Sequence, residues 1–177
     1  MKILAVQSKM GIGDTIIFLP FIKALSKKFN TPISILVKEN SKANQYLHQT
    51  KYIDKILILE RDNKTNNRHG GFFGIFKLAN DLKKYKFDKI FIFNSSLRFN
   101  LVAKISGISQ IYQYPLFTKK EQHIIETPKK FLKENLHLDI NEDPEVQINS
   151  DLISKAAQKF QIDKNLSLIH ISRAHET

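Results

Sequence analysis

A carboxylate flanked by glycines follows the first apolar segment of the chain. The turn Gly11-Ile12-Gly13-Asp14 lies between an apolar run at residues 3–6 and a helical pattern that begins at Asp14. An aspartate at the start of a helix can act as a general base that removes a proton from a reacting hydroxyl. Aspartate is also a preferred N-cap, which accepts backbone N–H groups and contributes about 0.5–2 kcal/mol. Both roles are open at this stage, and they are compatible.

The same turn begins like the Gly-x-Gly of a dinucleotide-binding fingerprint. The position of the third glycine holds Ile16, however, and this glycine normally lets the helix pack closely on the strand. No acidic residue closes the second apolar segment either, because Val37 is followed by Lys38. The turn therefore argues against a nicotinamide dinucleotide site.

Two further polar segments follow apolar runs. The loop at residues 61–71 carries Arg61, Lys64 and Arg68, which either bind an anionic ligand or form an exposed basic loop without one. The segment Asn94-Ser95-Ser96 precedes another helical pattern. The two serines either cap that helix or contact a ligand, and capping is the favoured interpretation. Arg98 lies in the first turn of that helix, where anions are favoured.

The elements that must position these residues alternate between short apolar runs and helical patterns. Predicted strands cover residues 3–6, 33–37, 56–59, 89–93, 111–114 and 166–171. Predicted helices cover residues 14–29, 43–47, 72–85, 97–105, 128–136 and 151–160. Strands that are apolar at every position need helices on both faces of a parallel sheet. The sequence thus predicts an α/β fold with a Rossmann-like, doubly wound parallel sheet, whose ligands bind beyond the carboxyl ends of the strands.

Composition and charge restrict the function classes. The 177 residues contain no cysteine, which excludes disulfides, thiolate nucleophiles and cysteine-ligated zinc. No apolar run is long enough for a signal peptide or a spanning helix, so we expect a cytoplasmic protein. The net charge of +11 indicates either an anionic substrate or membrane surface, or a generally lysine-rich composition. Nucleic acid is not favoured as a partner, because only four of the 28 basic residues are arginines and no recognition helix is evident.

Three segments of the sequence resemble one family. The first is Gly-Ile-Gly-Asp-Thr-Ile-Ile-Phe-Leu-Pro-Phe-Ile-Lys-Ala-Leu from Gly11, with its proline inside an apolar helix. The second is Phe-Asp-Lys-Ile-Phe-Ile-Phe-Asn-Ser-Ser-Leu-Arg from Phe87, and a weaker third is Gln122-His123. Together they are similar to the ADP-heptose:lipopolysaccharide heptosyltransferases, glycosyltransferase family 9, over roughly residues 1–150.

The resemblance implies a GT-B enzyme of two Rossmann-like halves, of which this chain is the N-terminal, acceptor-binding one. It implies inverting transfer without a metal or cofactor, from a nucleotide sugar such as ADP-heptose to a phosphorylated, lipid-linked core sugar. Peripheral contact with the inner membrane is a further implication. Asp14 would be the catalytic base. The implied acceptor-binding residues are Lys9, Gly13, Arg61, Lys64, Arg68, Asn94, Ser95, Ser96, Arg98 and His123, although an isolated histidine is more often structural.

The end of the sequence departs from this family. Leu-Ser-Leu-Ile-His at residues 166–170 is similar to the strand that opens the family's donor-binding half, whereas residues 171–177 are not. We therefore expect an acceptor domain at residues 1–165 and the first strand of a truncated donor domain at residues 166–177, with a tail that is foreign to the family sequence. Such a fragment would be inactive alone. A phosphate-sugar or nucleotide-binding module without catalysis stays open as the alternative, because a fold does not determine function.

Overall fold

A computed structural model describes residues 1–8, 11–61, 67–116, 123–146 and 150–160 of the chain. Its contacts divide the chain into two units, Met1–Val146 and Gln147–Thr177. Lys9, Lys64, Gln122 and the predicted strand at residues 166–171 lie outside the described residues, as does the predicted domain boundary after residue 165.

The first unit alternates strands and helices. The strands are β1 (Ile3–Gln7), β2 (Ile33–Lys38), β3 (Ile53–Leu59), β4 (Lys89–Ile92) and β5 (Gln110–Gln113). The helices are α1 (Ile12–Phe29), α2 (Ala43–Tyr46), α3 (Phe73–Lys83), α4 (Leu97–Ile105) and α5 (Glu126–Leu136), with a short 3-10 helix at Glu39–Ser41. The described part of the second unit is one helix, α6 (Ser150–Phe160).

Within the described residues the strands form one parallel sheet in the order β3-β2-β1-β4-β5. The first three strands therefore run outward from β1 in one direction, and β4 returns to pair with the other side of β1. This confirms the predicted doubly wound α/β sheet. All five residues of β1 are buried, as the continuous apolar run predicted for a central strand.

Each face of the sheet carries its own core. Helices α1, α2 and α5 pack on one face, where Phe21, Leu25 and Leu132 are buried against β-strand residues such as Ile35. Helices α3 and α4 pack on the other face around Leu4, Leu78 and Val102. None of the described helices is long and apolar enough to cross a bilayer.

Aromatic packing sets the position of α1 relative to β4. The ring of Phe18 meets the ring of Phe93 edge-on at 4.7 Å between centroids. Phe18 lies one helical turn after Asp14, and Phe93 immediately precedes Asn94. This contact, buried on both sides, holds the first turn of α1 close to the end of β4.

Candidate functional site

The strand order reverses between β1 and β4, and the carboxyl ends of these two strands form the switch point of the sheet. Ligands of doubly wound sheets bind in the crevice that opens at this point. Two of the three segments singled out in the sequence meet here, the turn that ends at Asp14 and the segment that begins at Asn94. Asn94 Nδ2 donates a hydrogen bond of 2.9 Å to Ser8 Oγ and so joins the ends of β1 and β4 directly.

Asp14 is the third residue of α1 and is partly exposed. The helix begins at Ile12, two residues earlier than expected, and its N-cap is Gly11, which makes no side-chain capping bond. The interpretation of Asp14 as the N-cap is therefore wrong. Thr15 instead donates from its backbone N–H and its Oγ1 to the Gly11 carbonyl, at 3.2 and 2.8 Å. Within the described part of the chain, the Asp14 carboxylate accepts no hydrogen bond and forms no ion pair, which leaves it available to a ligand.

The two glycines of this turn leave open space beside Asp14. Among the described residues, a Cβ built at Gly11 or at Gly13 would meet no atom within 4 Å. Gly11 has φ −82°, a value that any residue adopts. Neither the backbone conformation nor the packing of the described residues requires glycine at these two positions.

A network of hydrogen bonds that involves residues of β5 and α4 fixes the positions of Asn94 and Ser96. Ser96 N–H donates to Asn94 Oδ1 at 2.7 Å, and Ser96 Oγ accepts from Arg98 N–H at 3.3 Å as the N-cap of α4. The predicted capping role of Ser96 is confirmed. Gln113 Nε2 donates to the carbonyls of Asn94 and Ser96, both at 2.9 Å, and Asn100 Nδ2 donates to Gln113 Oε1 at 2.9 Å. Sequence reasoning missed Gln113 and Asn100.

Arg98 lies where the sequence predicted, in the first turn of α4. Its guanidinium donates to the carbonyl of Gly71 at 2.7 Å and to the carbonyl of His69. It thereby connects the start of α4 to the loop that leads into α3. In this structure its role is to position that loop beside the switch point.

His69 anchors the same loop. It is only 4% exposed, and its Nδ1 accepts a hydrogen bond of 3.1 Å from the Glu60 backbone N–H. Since Nδ1 is an acceptor, the neutral ring carries its proton on Nε2, which lies 3.1 Å from Asp81 Oδ2. Asp81 also accepts from Arg68 at 2.8 Å and from Lys84 at 3.4 Å. A cavity of about 400 Å³ lies beside this cluster, between β3 and α3.

The remaining predicted site residues are more dispersed. Arg68 extends from the β3–α3 loop toward Asp81, Arg61 is partly exposed just beyond β3, and Ser95 is partly exposed beside Ser96. His123 lies three residues before α5, and its Nδ1 accepts from the N–H groups of residues 125 and 126 at 3.4 Å. Within the described residues no hydrogen bond connects His123 to the switch point, and its observed contacts are those of a structural histidine.

The Asp81 cluster predicts an acid-sensitive contribution to stability. Partial burial raises the pKa of Asp81, but hydrogen bonds from His69, Arg68 and Lys84 outweigh this and hold it below the ordinary 3.8. A lowered pKa in the folded state adds stability above the unfolded-state pKa, and this stability is lost as the pH falls through the folded-state value. We expect Asp81→Asn to lower the free energy of unfolding by roughly 1–3 kcal/mol at pH 7. In urea titrations, the difference from wild type should shrink as the pH is lowered below 4.

A matched control for this prediction is Asp139→Asn. Asp139 is exposed and pairs with Lys133 at 2.7 Å, and exposed pairs of this kind contribute at most about 1 kcal/mol. An Asp81→Asn effect no larger than that of Asp139→Asn would show that the cluster does not stabilise the loop.

Comparisons with known proteins reveal a structural likeness. No protein-family model matches the sequence, and no curated protein matches it significantly. A family 9 glycosyl transferase from Veillonella parvula superposes with a TM-score of 0.67 at 19% identity, over 94% of this chain and 50% of that chain. The ADP-heptose LPS heptosyltransferase II of E. coli gives 0.63 at 14% identity, over 93% and 52% of the respective chains.

The E. coli heptosyltransferase WaaC, solved with ADP, gives a TM-score of 0.52 at 13% identity, over 80% of this chain and 49% of that chain. The chain thus spans about half the length of the solved structures that it matches. At identities of 13–19% the likeness establishes the fold. This chain therefore has the α/β fold of one half of the GT-B heptosyltransferases, and it resembles their N-terminal half.

Proposed function

We propose that the chain is the acceptor-binding half of an inverting glycosyltransferase. The reaction is transfer of a heptose, or a related sugar, from a nucleotide sugar to a phosphorylated, lipid-linked core sugar of lipopolysaccharide. The observation that carries this proposal is the state of Asp14. Its carboxylate is partly exposed, makes no bond within the described residues, and lies beside two glycines at the switch point of the sheet.

In this proposal Asp14 is the general base. Its carboxylate takes the proton of the acceptor hydroxyl while the hydroxyl oxygen forms a bond to the anomeric carbon of the donor. The bond from that carbon to the nucleotide diphosphate breaks at the same time, and the diphosphate leaves with the electron pair. Attack from the face opposite the leaving group inverts the anomeric centre. Assistance by a positioned base contributes about 10²–10⁴ in rate.

Basic residues bind the acceptor phosphate in this proposal. Arg98 and Arg68 hold the β3–α3 loop through the Gly71 carbonyl and the Asp81 carboxylate. The same loop carries Arg61 and Lys64, which we assign to the phosphate, because guanidinium and ammonium groups form strong charge-assisted hydrogen bonds with phosphate oxygens.

In this proposal the donor binds to the other half of the GT-B fold. E. coli WaaC has been solved with ADP and with ADP-2-deoxy-2-fluoro heptose, and ADP-heptose is accordingly the donor we propose. The chain alone is expected to bind acceptor without transferring sugar.

Acceptor binding is tested by calorimetric titration of the 177-residue chain with a delipidated, phosphorylated core oligosaccharide. We expect binding to wild type, and an increase in Kd of about tenfold in Arg61→Gln/Lys64→Gln, which corresponds to about 1.4 kcal/mol. Lys28→Gln/Lys130→Gln removes the same charge from α1 and α5 on the opposite face of the sheet and is the matched control. Equal affinity for the dephosphorylated oligosaccharide, or an equal loss in the control variant, would contradict the assignment.

A further inference from the structure

Three phenylalanine rings form an exposed aromatic patch where α3 begins. Phe72, Phe73 and Phe76 are 68%, 76% and 48% exposed, and Phe72 contacts the other two rings at centroid distances of 6.1 and 5.6 Å. Large apolar side chains at such exposure are individually common, but a contiguous group of three aromatic rings is typical of an interaction surface.

Helix α4 carries a second apolar row beside this patch. Leu97, Leu101 and Ile105 are each 43% exposed and recur every four residues, so they form one stripe along the outer side of the helix. Helices α3 and α4 cover the same face of the sheet and share one core. The hydrogen bond from Arg98 to the Gly71 carbonyl joins the first turn of α4 to the loop just before α3, one residue from Leu97 and one residue from Phe72.

The charges on these two helices are almost all positive. Lys77 and Lys83 on α3 and Lys104 on α4 are exposed. Within these two helices the single acidic residue is Asp81, which is engaged by Arg68, His69 and Lys84. An apolar, aromatic surface bordered by exposed lysines has the character of a helix face that lies on an anionic membrane.

We propose that this face, the aromatic patch together with the α4 stripe, docks on an anionic lipid bilayer. The phenylalanine rings enter the boundary between headgroups and acyl chains, and the lysines contact the lipid phosphates. The docked face adjoins the switch point through Arg98, so a lipid-linked acceptor in the same bilayer would reach Asp14 from the membrane side. This last point rests on the proposed function, whereas the docking itself does not.

Vesicle sedimentation tests the docking with the 177-residue chain. We expect binding to vesicles of phosphatidylcholine and phosphatidylglycerol at 3:1, and at least tenfold weaker binding to phosphatidylcholine alone. Phe72→Ser/Phe73→Ser/Phe76→Ser should abolish binding while the circular dichroism spectrum stays unchanged. Lys77→Gln/Lys104→Gln should weaken it about fivefold per lysine. The control Lys28→Gln/Lys130→Gln removes equal charge from the opposite sheet face, and an equal loss there would overturn the proposal.

A tryptophan probe reports which face enters the bilayer. The chain contains no tryptophan, so Phe73→Trp introduces a single emitter at the most exposed ring of the patch. We expect its emission to shift to shorter wavelength on vesicles and to be quenched by brominated acyl chains, whereas Lys28→Trp on α1 should show neither effect. Quenching of both probes, or of neither, would overturn the proposal. A blue shift that grows with protein concentration without lipid would instead identify a second copy of the chain as the occupant, and this too would overturn it.

The two proposals fail independently. Vesicle binding without any binding of the delipidated, phosphorylated oligosaccharide would contradict the proposed function and leave the membrane surface intact. Oligosaccharide binding without vesicle binding would contradict the membrane surface and leave the proposed function intact.

Discussion

Replacing Asp14 by asparagine should reduce sugar transfer by about 10²–10⁴-fold in an enzyme that combines this chain with a donor-binding half. The amide has nearly the same shape as the carboxylate but cannot accept the proton of the acceptor hydroxyl at neutral pH. The measurement is kcat with saturating donor and acceptor. KM for the acceptor should change little, because the base acts on the hydroxyl in the transition state and contributes little to ground-state binding.

Stability measurements separate this role from a structural one. Asp14 does not cap α1 and makes no bond within the described residues, so its loss removes only its interaction with the helix dipole, about 0.3–1 kcal/mol. The thermal midpoint of Asp14→Asn should therefore stay close to that of wild type. Near-normal turnover in this variant would remove Asp14 from the mechanism and favour a binding module without catalysis.

Alanine at Gly74 should destabilise the fold by about 1–3 kcal/mol, although alanine forms helices better than glycine does. A Cβ at Gly74 would lie 2.3 and 2.4 Å from the carbonyl carbon and oxygen of His69, and 2.9 Å from Arg98 Nη2. Two of these three atoms belong to the backbone, so relief requires the loop and α3 to move apart. That movement strains the bonds from Arg98 to the loop, and acceptor binding should weaken as well. Thermal unfolding should show a lower midpoint by roughly 2–4 °C per kcal/mol.

Gly13→Ala is the matched control, since Gly13 is also a glycine in the first turn of a helix. A Cβ there meets no atom within 4 Å, so the substitution should leave the fold unchanged or stabilise it by about 0.4–1 kcal/mol. If the open space beside Asp14 receives the acceptor, Gly13→Ala should impair acceptor binding without loss of stability. Equal destabilisation by both substitutions would show that steric contact with His69 is not the cause.

Local sequence patterns are sufficient to predict the class of the sheet and the elements of the described residues. Continuous apolar runs such as the one at residues 3–6 require burial on both faces, and this requirement does not depend on details of packing. The predicted start of α1 at Asp14 is two residues too late, because glycine has a low helix propensity. In the structure Gly11 is the N-cap and Gly13 lies inside the first turn.

The polar network was not predictable in the same way. Ser8 and Asn94 meet because β1 and β4 are neighbours in a particular register, and that register is a property of the assembled sheet. The His69–Asp81 bond likewise depends on where His69 lies beside α3, and residues 61–71 contain no periodic signal that predicts this position. The exposure of Phe73 is not predictable from the sequence for another reason. An apolar residue in a helical pattern usually indicates a position in the core.

The bond between Ser8 and Asn94 spans 86 positions of the chain. During synthesis on the ribosome, β1, β2 and β3 are available to pair long before β4 has emerged. The crevice at the strand reversal is therefore assembled late, when the returning strand docks against the middle of a partial sheet. A contact between such distant residues incurs the closure entropy of a long loop, which makes this docking a natural candidate for the slow phase of folding.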